Sequence, residues 1–267
     1  MPESETTPST TSSSFHRTWI AGALLASLAA WGLLNFTPIQ RTLPPELRAV
    51  DMYSPPEIQT QYEELVPWVT WENCLLRFAF AGLGLGLVSS LVVAFGGSHR
   101  RGLLIAAGTV AGLLFGTLAG QVGYSLRAWL NTPSMIAQIE EPLFRDTLLF
   151  VIVSLVLSGA LWVVYGLGRR ELMGQQAFSV LMAGGLSGLL LPITASLFPG
   201  MLTHVFPTEG LGLPAVWFGM LGVLAAFLPL ATGPRGSAAA DKTHDTASTA
   251  NAVDTAKTAN APTDSEA

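Results

Sequence analysis

The chain has 267 residues, half of them hydrophobic and only 12% charged, with a formal net charge of −5. Soluble domains carry about 25% charged residues, so the polar chain is too scarce to cover a water-exposed globule of this apolar content. Thirteen Lys and Arg against eighteen Asp and Glu give no basic surface for nucleic acid, and a single cysteine, Cys74, excludes an intramolecular disulfide.

The apolar residues come in blocks. Residues 19–36, 74–96, 103–124, 147–168, 177–198 and 212–232 are long and nearly free of charge. A helix rises about 1.5 Å per residue, so about 20 residues cross a hydrocarbon layer of about 30 Å. Backbone in lipid has to bond to itself, which makes each block a helix. The expected fold is therefore an all-α integral membrane protein with six transmembrane helices in a glycine-rich bundle, spanning residues 18–234 between a disordered leader (1–17) and a disordered tail (235–267).

The leader is rich in Ser, Thr and Pro, and the tail in Ala, Thr and Asp. Neither has the apolar content to offset ordering entropy. "HRTWIAGALLASLAAWGLLNF" (16–36) opens the first span with a basic flank and an apolar core, a layout shared with signal peptides. The apolar run continues through Trp31 and Phe36, well past the small residues ending at Ala30, and a polar leader precedes it. These features favour a retained anchor.

The outer loop 37–71 is too long for a simple connector. "PPEL" (44–47) and "PPEI" (55–58) each resemble a helix start: proline suits the first turn, and Glu suits the positive end of the helix dipole. Two short surface helices are expected there, with Trp68 and Trp71 at the interface. A further surface helix is expected around "MIAQIEE" (135–141).

"GTVAGLLFGTLAG" (108–120), in the third span, places Gly108, Gly112, Gly116 and Gly120 every four residues. Such a stripe lets another helix approach closely, which is how helices associate where apolar surface gains nothing by leaving lipid. Small residues recur as partners: Gly82, Gly86 and Ser90 in the second span, Gly184 and Gly188 in the fifth, Gly22, Ala26 and Ala30 in the first. These glycines are assigned to helix packing, within the chain or across an oligomer.

Two segments resemble each other. "LVVAFGGSHRR" (91–101) parallels "LWVVYGLGRR" (161–170), "AGTVAGLL" (107–114) parallels "AGGLSGLL" (183–190), and "QYEE" (61–64) parallels "QIEE" (138–141), in the same order. The match implies two parallel two-helix repeats with flanking helices. Glycine, alanine and leucine also align readily by composition, and the spacing between blocks differs. Pro192 falls where Gly116 stands in the other copy, and a proline in mid-span kinks a helix.

Ionisable residues are scarce within the spans. Arg77, about one turn inside the outer end of the second span, is read as an interface anchor that snorkels or pairs with Glu72 or another outer acid. The serine and threonine hydroxyls within the spans, such as Ser154 and Ser158, are expected on backbone carbonyls of their own or a neighbouring helix. Glu63, Glu64, Glu140 and Glu141 either form an acidic ring over an outer vestibule that attracts cations, or are two solvated helix faces. No spacing of His, Cys, Asp or Glu matches a metal site, and no nucleophile, phosphate-loop or dinucleotide motif appears, so no cofactor and no enzyme activity is expected. "GLGLG" (82–86) lies inside an apolar span with no strand before it, which rules out a phosphate loop.

The two Arg pairs, Arg100–Arg101 and Arg169–Arg170, sit in short loops on the side of both termini, which places the termini in the cytoplasm of a plasma membrane, with a bacterial inner membrane the best fit. Two functions remain from the sequence. The first is a non-catalytic membrane component acting through helix packing or assembly, with the lipid bilayer and a second copy or another membrane protein as partners and no nucleic acid. The alternative is a carrier or channel for a small uncharged solute or a cation.

Overall fold

The computed structural model describes residues 11–37, 40–51, 53–96, 100–170, 174–197 and 212–232. Seven helices form: α1 (Thr11–Asn35), α2 (Pro56–Phe95), α3 (Arg101–Leu130), the short α4 (Pro133–Gln138), α5 (Pro142–Arg169), α6 (Gln175–Ser196) and α7 (Gly212–Ala231), with no strand among the described residues. Six of them, all but α4, are long and apolar enough to cross a membrane. The tail 235–267, the first ten residues of the leader, and the last outer loop with His204 and Glu209 lie outside the described residues.

The six long helices pack in a closed order. α1 lies against α2, α2 against α3, α3 against α5, α5 against α6, α6 against α7, and α7 returns to α1. α2 also touches α5 across the middle. The first and last helices are therefore neighbours, and the core runs through all six, from Trp19 and Leu34 to Phe78, Leu157, Leu191 and Trp217.

Three boundaries differ from the sequence expectation. Residues 11–17, assigned above to the leader, are the first turns of α1. Tertiary contact recruits them: the Phe15 ring packs edge-on to Tyr165 of α5 at 5.6 Å, and the His16 Nε2 lies 3.2 Å from the Arg169 guanidinium. The second difference lies in the outer loop. "PPEL" forms a single 3₁₀ turn, Pro45–Leu47, as expected of a short surface element. "PPEI", however, does not start a separate surface helix. It opens α2, which runs 40 residues without interruption through Pro67. At about 1.5 Å per residue that is about 60 Å, twice the hydrocarbon thickness. No glycine or asparagine stands between 58 and 72 to end the helix, and the C-terminal part of α3 supports the extension. Trp71 Nε1 donates to Gln121 Oε1 at 2.7 Å, and the Tyr124 hydroxyl donates to the Pro67 carbonyl at 3.1 Å. Thirdly, α4 stops at Gln138, before the Glu pair of "MIAQIEE".

The segment before α2 is fastened to it at Gln59, whose Nε2 donates to the Ser54 carbonyl at 2.8 Å, and at Glu72 and Asn73. The Asn73 side chain accepts from the Arg41 N–H at 2.7 Å and donates to the Arg41 carbonyl at 2.9 Å, while Arg41 pairs with Glu72 at 3.0 Å.

Candidate functional site

The glycines mark where backbone meets backbone. A Cβ added to Gly112 would run into the Gly82 carbonyl and lie 3.2 Å from the Gly86 Cα. One at Gly82 would meet the Gly112 carbonyl and Gly116, and one at Gly86 the Gly108 carbonyl and, at 2.8 Å, the Gly112 Cα. Gly116 faces the Phe78 carbonyl and Gly120 the Cys74 carbonyl. The whole stripe of α3 is thus seated on α2 of the same chain. Gly184 faces the Ser154 carbonyl and the Ser158 hydroxyl of α5, and Gly188 faces the Phe150 carbonyl. A further seam, between α2 and α1, sets Gly84 against the backbone of Ala29 and Ala30, and Gly22 against Ser89 and Val92.

The two hairpins share one contact register. Gly108 sits on Gly86 and Ser90 as Gly184 sits on Ser154 and Ser158, and Gly112 sits on Gly82 as Gly188 sits on Phe150. The steps are constant: 68 residues separate Gly82 from Phe150, Gly86 from Ser154 and Ser90 from Ser158, and 76 separate the paired glycines. A further step of 68 leads from Ser154 to Gly222 in α7, which faces Ser27 and the Ala23 carbonyl of α1. The sequence comparison does not reach this third pair, because its two helices come from opposite ends of the chain.

Aromatic side chains close the interior at two levels. Trp217 of α7 is fully buried; its ring lies 6.1 Å from Phe78 of α2 and 5.2 Å from Phe150 of α5, and its Nε1 donates to Ser154 Oγ at 2.7 Å. Trp19 of α1 is equally buried, 4.8 Å from the Tyr165 ring, and its Nε1 donates to the Ala225 carbonyl at 2.9 Å. The Tyr165 hydroxyl and Gln176 Oε1 lie 3.1 Å apart. These aromatics escaped the sequence reading because a Trp or Phe inside an apolar run looks the same whether it faces lipid or core. Ser89 and Ser187 donate to carbonyls of their own helices, and Ser158 reaches Leu181 of α6 at 3.0 Å. These hydroxyls are bonded to backbone, and Ser154 to the Trp217 indole.

Arg77 Nε donates to the Leu34 carbonyl at 3.1 Å, one residue before α1 ends, while Glu72 pairs with Arg41. A cation there satisfies an orphan carbonyl and complements the negative end of the α1 dipole. Glu63 and Glu64 lie exposed on the extension of α2, and Glu140 and Glu141 lie exposed before α5. Among the described residues no three His, Cys, Asp or Glu come together as a metal-holding group. Pro192 is buried inside α6, which continues to Ser196, and Pro229 is buried inside α7, two residues before that helix ends at Ala231.

No family model, no curated protein and no solved structure matches the chain. The six apolar helices are consistent with a polytopic membrane protein, and the residues themselves are the guide to the rest.

Proposed function

We propose that the chain is a non-catalytic membrane component, not an enzyme, built as a self-contained bundle whose glycines act in folding and whose outer surface meets its partners. The observation that carries this is the closed interior. Trp217, Phe78 and Phe150 fill the middle of the bundle, Trp19 and Tyr165 fill a second level, and the buried serine hydroxyls near them are bonded to backbone or to an indole. The glycine stripe of α3 is already occupied by α2, so assembly with a second copy or another membrane protein falls to other faces. The shared register of the two hairpins supports parallel repeats. In this proposal both termini face the cytoplasm of a plasma membrane, as the Arg pairs favour.

The alternative is a carrier or channel, and the test is solute flux. Purified full-length chain in liposomes is assayed for swelling in neutral solutes and for cation uptake. The expected result is flux equal to that of protein-free vesicles, together with a membrane protein recovered by in-cell crosslinking. Saturable flux that Trp217→Ala increases would overturn the proposal, because it would show that the aromatic closure is a gate.

A further inference from the structure

The start of α1 is clasped to the end of α5. The Phe15 ring packs edge-on to Tyr165 at 5.6 Å and fills the notch at Gly168, where an added Cβ would lie 2.7 Å from the Phe15 Cε2. The Arg169 guanidinium stands 5.9 Å from the centre of the same ring, and its Nη1 lies 3.2 Å from the His16 Nε2. A guanidinium only donates, so Nε2 has to accept, and the bond exists only while the imidazole is neutral. The Nδ1 of His16 is buried and meets no hydrogen-bond partner among the described residues. The charges around the clasp are all of one sign. Arg17 follows His16 on α1, Arg170 follows Arg169 at the end of α5, and Arg100 and Arg101 stand where α3 starts, at the same end of the bundle. α2 brings Val93 and Gly96, both uncharged, and the remaining titratable group, Tyr165, has its hydroxyl 3.1 Å from Gln176 of α6. Every described Asp and Glu, from Glu46 to Asp146, lies at the opposite end.

We propose that the first turns of α1 are a proton-operated clasp, closed on α5 while His16 is neutral and released when it is protonated. A proton on Nε2 removes the acceptor and sets a second cation beside the guanidinium, with no described carboxylate near to offset either charge. His16 precedes the apolar run 19–36, so it stands at the membrane edge, within reach of protons from water. Once released, the imidazolium is hydrated and clear of Arg169. The docked state therefore binds fewer protons than the released one. Docking is complete above the histidine range and is lost as the pH falls through it. An unperturbed imidazole titrates near about 6.5, which puts the change between about pH 7 and pH 5. What opens is the seat of Phe15 on Tyr165, Gly168 and Arg169, while the bond from Trp19 to the Ala225 carbonyl keeps the rest of α1 in the bundle.

A spin label on Ser14→Cys, an exposed position two residues before His16, reports the clasp; Cys74 is buried and stays unlabelled. The full-length chain is placed in phosphocholine nanodiscs, whose headgroups do not titrate in this range, and the ratio of mobile to immobile label is read from about pH 8 down to about pH 5. The ratio should rise about tenfold, as it does when the released histidine holds its proton about ten times more tightly than the docked one. His16→Gln keeps a neutral acceptor for Arg169 and should hold the ratio low throughout. His16→Lys should give the high ratio at every pH. Arg169→Gln removes the opposing charge and should flatten the response. A label on Gly102→Cys, where a Cβ meets nothing within 4 Å, reports the start of α3 and should not respond. A parent whose ratio stays constant over the whole range overturns the proposal, and so does a response that persists undiminished in His16→Gln. An equal response at Gly102 would mark general loosening of the bundle and overturns it as well.

Discussion

Gly112→Ala is the sharpest probe of the seams. Were the methyl group free, alanine would stabilise the helix by about 0.5–1 kcal/mol over glycine. At Gly112 the added Cβ runs into the Gly82 carbonyl and lies 3.0 Å from its carbon and 3.2 Å from the Gly86 Cα. All three are backbone atoms, which no rotamer change can move aside. Contact at the optimal separation of about 3.5–4.0 Å requires α2 and α3 to part, by more than an ångström where the carbonyl oxygen is met. A gap of that order forfeits about a quarter to a half of each dispersion contact across the seam. Overpacking typically costs about 1–3 kcal/mol, and a backbone clash belongs at the upper end, so the expected net loss is about 2 kcal/mol. The measurement is reversible unfolding in mixed micelles, or the midpoint of heat-induced loss of the monodisperse peak, against Gly219→Ala, whose Cβ meets open space. Gly219→Ala should be neutral or slightly stabilising. A Gly112→Ala variant as stable as Gly219→Ala would refute the argument, since the helix gain would then be uncompensated. Gly112→Leu should fail to assemble at all.

Trp217→Ala should cost about 3–5 kcal/mol by opening a cavity among Phe78 and Phe150, whereas Trp217→Phe should cost about 1 kcal/mol for the lost bond to Ser154; in a double-mutant cycle with Ser154→Ala, zero coupling would deny that bond. Arg77→Gln should lower stability by about 0.3–1 kcal/mol through loss of the cation at the end of α1, and Arg41→Ala should cost less, because its ion pair with Glu72 is two-thirds exposed on the arginine side; unfolding of the two variants side by side checks the order. Cys74 is fully buried between α2 and α3, so a maleimide should label it only after denaturation, and rapid labelling of the native protein would contradict the packing.

Much was legible in the sequence because lipid simplifies the problem. A backbone without water has one local solution, so six apolar runs of sufficient length become six helices regardless of what they touch. The four-residue spacing of Gly108, Gly112, Gly116 and Gly120 fixes that they share a face, since the helical period is a local property. The partner of that face is not local. Only the tertiary structure decided that α2 of the same chain fills it, that Arg77 reaches the end of α1 and Arg41 pairs with Glu72, and that residues 56–73 continue as helix because α3 bonds to them through Gln121 and Tyr124. The third seam depended on it most. α1 and α7 are separated by almost the whole chain, and no periodicity within either helix encodes their contact; it exists because six helices in this order close a ring, bringing Ser27 and Gly222 face to face.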